Sequence, residues 1–291
     1  MNYNNPELRV LNITHADMDG IASSIVLKNF YKTVYVVPVT YQSESISVHE
    51  ALNLYKEKFD IIICTDFYPA KTITELQRVS SLVVIDHHES VEDKNNDENI
   101  IINTLYSGCE LTFNFINKFK NISKLQEFVT LVSDWDMFRL KDKRSAYYNN
   151  MYWEMGPKWF LRRFINGNIT LYPEEKQYFV DATKEFKDLY ESLEIFDMAR
   201  NGVFFETARF QYECIEALKK DGYKWFAIRN KNNLSVRCDD VDLVDIAKKL
   251  GKGGGHKHAI GIPLTSTDNI GELLKKLEYF IDDYYMNMID D

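Results

Sequence analysis

Five short apolar runs rich in β-branched residues mark the first half of the chain: LRVLNI at 8–13, VYVVPV at 34–39, DIIICT at 60–65, SLVVID at 81–86 and NIIINT at 99–104. Continuous apolar character over such lengths predicts strands covered on both faces, as in a parallel sheet. Segments of helical periodicity lie between them, at 20–31 (amphipathic), at 48–58 after Ser47 and at 70–79 after Pro69. SGCE at 107–110 has the S-x-x-E form of a capping box ahead of LTFNFINKF, and SKLQ at 123–126 opens a further helix running toward Ser133. The order is βαβα.

After about residue 140 the texture changes to aromatic and charged residues, and 172–200 reads as one long helix with Pro173 in its first turn and Gly202 just beyond its end. Alternation then returns: a strand at 203–208, a helix at 212–220, YKWFAIRN and NLSVRC as a hairpin around KNN, and a helix at 243–250. HAIGIPL reads as a strand, and a helix at 271–285 closes the chain. The predicted fold class is α/β, with an N-terminal parallel-sheet domain over 1–150, a helical connector over 151–200 and a smaller C-terminal α/β domain over 201–291.

Composition narrows the function. The 291 residues are 45% hydrophobic and 14% aromatic, enough to bury two cores. A formal net charge of −9 excludes a large basic surface for long duplex nucleic acid, while leaving room for a local basic pocket. Cys64, Cys109, Cys214 and Cys238 show no CxxC spacing, and MNYNNPELRV lacks the apolar stretch of a signal peptide, so a reducing cytoplasm is the expected compartment. No apolar run approaches the roughly 18–20 residues of a membrane span.

The candidate chemistry gathers at predicted strand ends. THADMDG follows the first strand and places His15, Asp17 and Asp19 at alternate positions, on one side of an extended segment. Asp66 ends the third strand in CTDF, and Asp86, His87 and His88 end the fourth in IDHHES. In an open parallel sheet the ligand crevice lies beyond the carboxyl ends of the strands. Five of the six histidines fall in three segments, THADMDG, DHH and GGGHKH. Clustered carboxylates repel, and divalent metal supplies a reason for them. Mixed Asp and His donors suit Mn²⁺, Fe²⁺, Co²⁺ or Zn²⁺, and their number points to two ions sharing an aspartate, as in phosphoester hydrolysis. Taken singly, Asp66 reads more often as a turn or helix-cap residue than as a ligand, and Asp134 and Asp136 in SDWDMF as the end of a helix and a solvated loop.

THADMDG, TDF, DHH and SDWD in that order, with GGGHKHAIG near the end, resemble the DHH phosphoesterase family with its DHH-associated C-terminal domain over about residues 8–285. The resemblance implies two divalent ions, Mn²⁺ being the expected metal. His15 and Asp17 would hold one, Asp19 and His87 the other; Asp66 would bridge them and Asp134, directly after the serine expected to end its helix, would complete the second. It further implies that His88 faces the substrate phosphate and that Asp86 orients the histidine pair. The first motif here reads H-x-D-x-D, shorter than the H-x-x-x-D-x-D of several relatives. In the second domain, Gly253, Gly254, Gly255 and His256 would lie against the far end of the substrate, with Arg237 as a neighbouring clamp. For the glycines a helix cap and turn is the plain alternative, and for Arg237 pairing with Asp239 or Asp240.

A domain that binds one end of a substrate while metals cut the other acts as a ruler. The implied activity is hydrolysis of short single-stranded oligonucleotides to mononucleotides, or of 3′,5′-bisphosphonucleosides. Rivals are a RecJ-like single-strand DNA exonuclease, a cyclic-dinucleotide phosphodiesterase and, from another class, a non-catalytic nucleotide-binding protein. The expected partner is a short oligonucleotide or nucleotide, with no membrane and no long duplex; a homodimer stays open.

Overall fold

The structure, a computed structural model, describes residues 3–95 and 97–287. It divides into two compact bodies, Met1–Leu171 and Tyr172–Asp291.

The first body is built on a five-stranded parallel sheet of β1 (Arg9–His15), β2 (Thr33–Val39), β3 (Ile61–Thr65), β4 (Ser81–Asp86) and β5 (Ile100–Ile102), in the order β2-β1-β3-β4-β5. All five fall on the predicted apolar runs. Every residue of β3 is buried, as its unbroken IIICT requires of a central strand. Pro38, which cannot donate to a ladder, sits in β2 at the sheet edge.

One face packs Leu11, Ile13, Ile62, Cys64, Val84 and their neighbours under α2 (Glu44–Leu54) and α3 (Ile73–Val79). The helices α1 (Met18–Lys28), α4 (Gly108–Asn117), α5 (Gln126–Asp136), α6 (Lys143–Met155) and α7 (Pro157–Phe164) pack together, α1 and α4 also touching the sheet. Because α1 meets the sheet as well as α4, α5 and α7, it is buried on every residue except Lys28, and so is not the amphipathic helix its sequence suggests. The N-cap half of the predicted capping box forms at Ser107, its hydroxyl accepting from Glu110 N, while the Glu110 carboxylate accepts from Ser133 Oγ. The SKLQ box does not form: 123–125 form a 3₁₀ turn, and α5 starts only at Gln126.

In the second body α8 (Pro173–Glu191) is shorter than the predicted 172–200. Ile195–Met198 leaves the helical path as β6, pairing antiparallel with β7 (Gly202–Glu206). The segment 151–200, expected as a connector, is thus divided: α6 and α7 belong to the first body, while α8 and β6 belong to the second. After α9 (Gln211–Lys220), the strands β8 (Trp225–Asn230) and β9 (Asn233–Cys238) form the predicted hairpin. α10 (Leu243–Leu250), β10 (Gly254–His256), β11 (Ala259–Pro263) and α11 (Ile270–Asn287) complete a sheet ordered β10-β11-β9-β8-β7-β6, with only β7 and β8 parallel. Among the described residues no helix is long and apolar enough to cross a membrane, and all four cysteines are buried thiols.

The glycine run forms the tight hairpin β10–β11. Gly253 and Gly255 have φ of +89° and +143°, and a Cβ on Gly255 would stand 2.4 Å from the carbonyl oxygen of Ala259. Gly254, by contrast, has nothing within 4 Å of where its Cβ would be. Two of the three glycines are therefore demanded by the chain's own folding. Gly255→Ala is expected to cost about 1–3 kcal/mol and lower the melting temperature, whereas Gly254→Ala melts with the wild type; calorimetry of the two variants checks this.

Candidate metal centre

In the strand order β1-β3-β4, register aligns Thr14, Thr65 and Ile85 in one row, so the next residues out, His15, Asp66 and Asp86, emerge side by side at the carboxyl edge. This is the switch point of the sheet, where β1 separates β2 from β3 and the connections diverge. Beneath it runs a buried polar ladder. Ser24 Oγ donates to Asn12 Oδ1, Asn12 Nδ2 donates to Thr65 Oγ1, and Thr14 Oγ1 donates to Gly20 O, tying the loop after β1 to the sheet.

The H-x-D-x-D motif does not continue as an extended segment. Asp17 caps α1, accepting from Gly20 N at 2.9 Å, and Asp19 lies in the first helical turn. Gly20 is fixed by crowding, since a Cβ there would lie 2.2 Å from His15 O. Despite the shorter spacing, His15 Nδ1 reaches Asp17 Oδ2 at 2.7 Å and Asp66 Oδ2 at 3.8 Å. Asp19 accepts from Cys109 N with both oxygens at 3.1 Å, at the start of α4.

Asp66 stands at the centre. It is 1% exposed, has φ of +54°, and neither of its oxygens has a hydrogen-bond donor among the described residues. Oδ2 faces His15, while Oδ1 lies 3.1 Å from His87 Nε2. Three groups of donor atoms share it, each lying within 4.8 Å: His15, Asp17 and Asp66; Asp19, Asp66 and His87; and Asp66, Asp86 and His88. Gly108 permits this crowding, because a Cβ there would meet Asp66 Cβ at 2.6 Å and Asp19 Oδ2 at 2.8 Å.

The fourth motif resolves against the expected residue. Asp134 is not in the cluster. Its carboxylate accepts from Lys141 N, Asp142 N and Ser145 Oγ at 2.9–3.0 Å, binding down the chain that follows α5. Because α5 continues through Asp136 instead of stopping at Ser133, it is Asp136 that enters the centre, with Oδ2 at 3.4 Å from His87 Nε2 and no donor among the described residues.

Asp86 Oδ1 accepts from His87 N and sits 2.7 Å from His88 Nδ1. Sequence reasoning also missed Tyr41, whose ring centroid lies 5.5 Å from that of His15 and 6.0 Å from that of His88. Its signal, one tyrosine in a loop, is indistinguishable from an ordinary surface aromatic.

The electrostatics of the metal-free centre are those of an unneutralised acid cluster. Burial, then repulsion from Asp17, Asp19 and Asp136, raises Asp66 well above the carboxylate range; burial and Asp136 do the same to Asp19. Burial followed by Asp17 lifts Asp136 to about 7. Asp17 goes the other way: burial opposes ionisation, but His15 and the Gly20 N–H win. His87 is lowered by burial and by His88 to about 4. His88 is raised to about 9, the opposing effect of burial being outweighed by Asp86. Orphaned carboxylate oxygens in a dry site, interleaved with imidazoles and free of thiolates, fit bound divalent metal.

In the second body, register puts His256, Ala259 and Arg237 in one row across β10, β11 and β9, with Gly254, Gly261 and Ser235 in another. Directly paired residues share a face, so Arg237 and His256 flank a small-residue shelf roughly 9–10 Å wide. Among the described residues Arg237 does not pair with an acid. Nη1 donates to Val236 O and Ile260 O, while Asp239 pairs with Lys219 and Asp240 accepts from Tyr285.

Residues 9–133 match the DHH family, N-terminal domain, and residues 216–283 the DHHA1 domain. The chain is a metal-dependent phosphoesterase. It belongs to the DHH phosphoesterase family, with a DHHA1 domain following the catalytic one. Among solved structures it is similar to the pGpG-specific phosphodiesterase PggH of Vibrio cholerae, at 15% identity over 95% of this chain and 99% of that one, with a TM-score of 0.54. It is also similar to RecJ of Thermus thermophilus in complex with Mn²⁺, at 11% identity and a TM-score of 0.58, where 95% of this chain spans 52% of RecJ. A RecJ exonuclease bound to manganese shares 11% identity over 94% and 90% of the two chains, with a TM-score of 0.54. No curated protein matches.

Two outcomes are expected. Asp136→Asn weakens Mn²⁺ binding by at least about tenfold in calorimetric titration, whereas Asp134→Ala acts on stability, losing about 2 kcal/mol or more as buried donors go unmet. In the metal-free protein Asp136 keeps its proton to about pH 7 against an ordinary 3.8, and His88 to about 9 against 6.5. The folded state thus holds protons the unfolded chain has released, and its stability falls as pH rises from 6.5 to 9. His87 works in the opposite sense only below 6.5. The metal-free melting temperature should decline across that window and excess Mn²⁺ should remove the decline; a flat metal-free profile contradicts the assignment.

Proposed function

We propose that this protein is a Mn²⁺-dependent phosphodiesterase that hydrolyses very short single-stranded oligonucleotides to mononucleotides. The observation that carries the reading is Asp66, a buried carboxylate whose two unmet oxygens face two separate sets of His and Asp donors. His15 and Asp17 would hold one cation and Asp19, His87 and Asp136 the other, with Asp66 available to both. When bound, the two cations draw electron density from the phosphoryl group and acidify water near neutral pH. Asp86 fixes the proton of His88 on Nδ1 and holds its ring toward the reacting phosphate. Buried walls such as Cys109 and Phe67 keep bulk water from the carboxylates, so each charge acts in a low dielectric.

Arg237 and His256 take a second phosphate of the substrate, and Gly254 leaves the shelf low enough for close approach. Two recognition elements and a net charge of −9 favour a short substrate over a polymer. The Vibrio protein of matching length, named as specific for pGpG, is in keeping with that size.

The test is product release with Mn²⁺ from 5′-labelled RNA and DNA ranging from dinucleotides to long oligomers, cyclic dinucleotides and adenosine 3′,5′-bisphosphate, with Asp66→Ala as control. Rates should fall steeply beyond about five nucleotides, and Gly254→Ala should raise KM for dinucleotides without lowering the melting temperature. Rates that hold on long DNA would replace this reading with a RecJ-like exonuclease. Binding without Mn²⁺-dependent product would make the chain a nucleotide-binding protein.

A further inference from the structure

Tyr41 occupies the loop between β2 and α2, whose path is set by local bonds: Thr40 N donates to Ser43 Oγ, and Lys71 Nζ donates to Tyr41 O at 2.6 Å. The side chain lies against Phe67, the residue after Asp66, with ring centroids 5.4 Å apart. Phe67 is wholly buried, so it backs the tyrosine as a fixed wall. The ring then meets His88 edge-on at 89° and His15 at 40°. Even with these neighbours Tyr41 remains 39% exposed. An aromatic residue thus stands beside His15 and His88 at the metal centre while staying partly open to solvent. Most large aromatics of this body, including Phe67, Phe128, Phe160 and Phe164, are spent in the core. Trp153 is more exposed, but its ring contact is with Tyr152 and not with a histidine of the centre.

The ring of Tyr41 is itself uncharged and makes its close contacts with the rings of Phe67, His15 and His88. A flat, neutral, polarisable group suits it. We propose that Tyr41 is the stacking platform for the nucleobase of the nucleotide whose phosphate is cut, which makes it a specificity-determining residue; this rests on the phosphodiesterase reading above. Because every base has a π-face, the platform selects for the presence of a base and not for its identity. It also orders the sugar and phosphate attached to that base before reaction, so its loss appears mainly in substrate binding. The contact uses the ring and not the hydroxyl, so phenylalanine serves equally.

The test uses a dinucleotide with a non-hydrolysable linkage carrying 2-aminopurine, whose fluorescence is quenched on stacking, together with turnover of a natural dinucleotide and of its abasic analogue. The wild type and Tyr41→Phe should bind and quench alike and should prefer the base-bearing substrate. Tyr41→Ala should lose the quench, bind about tenfold or more weakly, and turn over the abasic analogue at the wild-type rate. Quenching and binding unchanged in Tyr41→Ala would overturn the platform. Equal loss in Tyr41→Phe would overturn it in favour of a hydroxyl contact. A wild type that hydrolyses simple phosphomonoesters but binds no dinucleotide would overturn the underlying nucleotide reading, and the platform with it.

Discussion

Asp66 holds its carboxylate where water cannot reach it and no hydrogen-bond donor among the described residues meets it, in the company of other aspartates. Left to itself, such a group takes up a proton or forces the site apart, because burial and like charge both penalise ionisation. The structure around it is organised to keep it there. The polar ladder of Asn12, Thr14, Thr65 and Ser24 locks the neighbouring strand ends, Gly108 gives it room, and α1 and α4 deliver Asp19 against it. Metal charge is what turns this arrangement from a burden into a favourable one.

The same constraint explains the division of labour among the aspartates. Asp134 and Asp136 are two residues apart on one helix, and their side chains leave it in different directions. Asp134 meets backbone donors of the following loop and serves structure; Asp136 meets His87 and serves the cluster. Asp86 is also wholly buried, yet its Oδ1 meets the main chain and ring of the DHH segment, so it ionises readily and holds the His88 ring by Nδ1. Position in a motif does not separate these roles; the donors each carboxylate meets do.

The glycine run near the C-terminus has two causes. Gly253 and Gly255 are required by the left-handed backbone and close carbonyl contacts of the β10–β11 hairpin. Gly254 faces open space on the row that adjoins Arg237 and His256. A run that reads as one functional signal is therefore partly fold and partly surface, and only the middle glycine is free to answer to a ligand.

Much of this protein is local in origin, and that part was legible in the amino-acid order. Unbroken β-branched runs placed all five parallel strands, the Ser107 N-cap placed α4, and the clustering of His and Asp at strand ends marked the rim on which the centre forms. The misread features depend on contacts distant in the chain. Ile195–Met198 is a strand because β7 pairs with it, and α1 is buried all round because three other helices and the sheet enclose it. Asp136 replaces Asp134 because α5 runs one further turn, and Tyr41 joins the centre because Phe67 supports it from another strand end. Periodicity and capping act over a few residues, so sequence alone carries them. Which of two nearby carboxylates is desolvated, and beside what, is set by the packing of whole elements, and only the tertiary structure decides it.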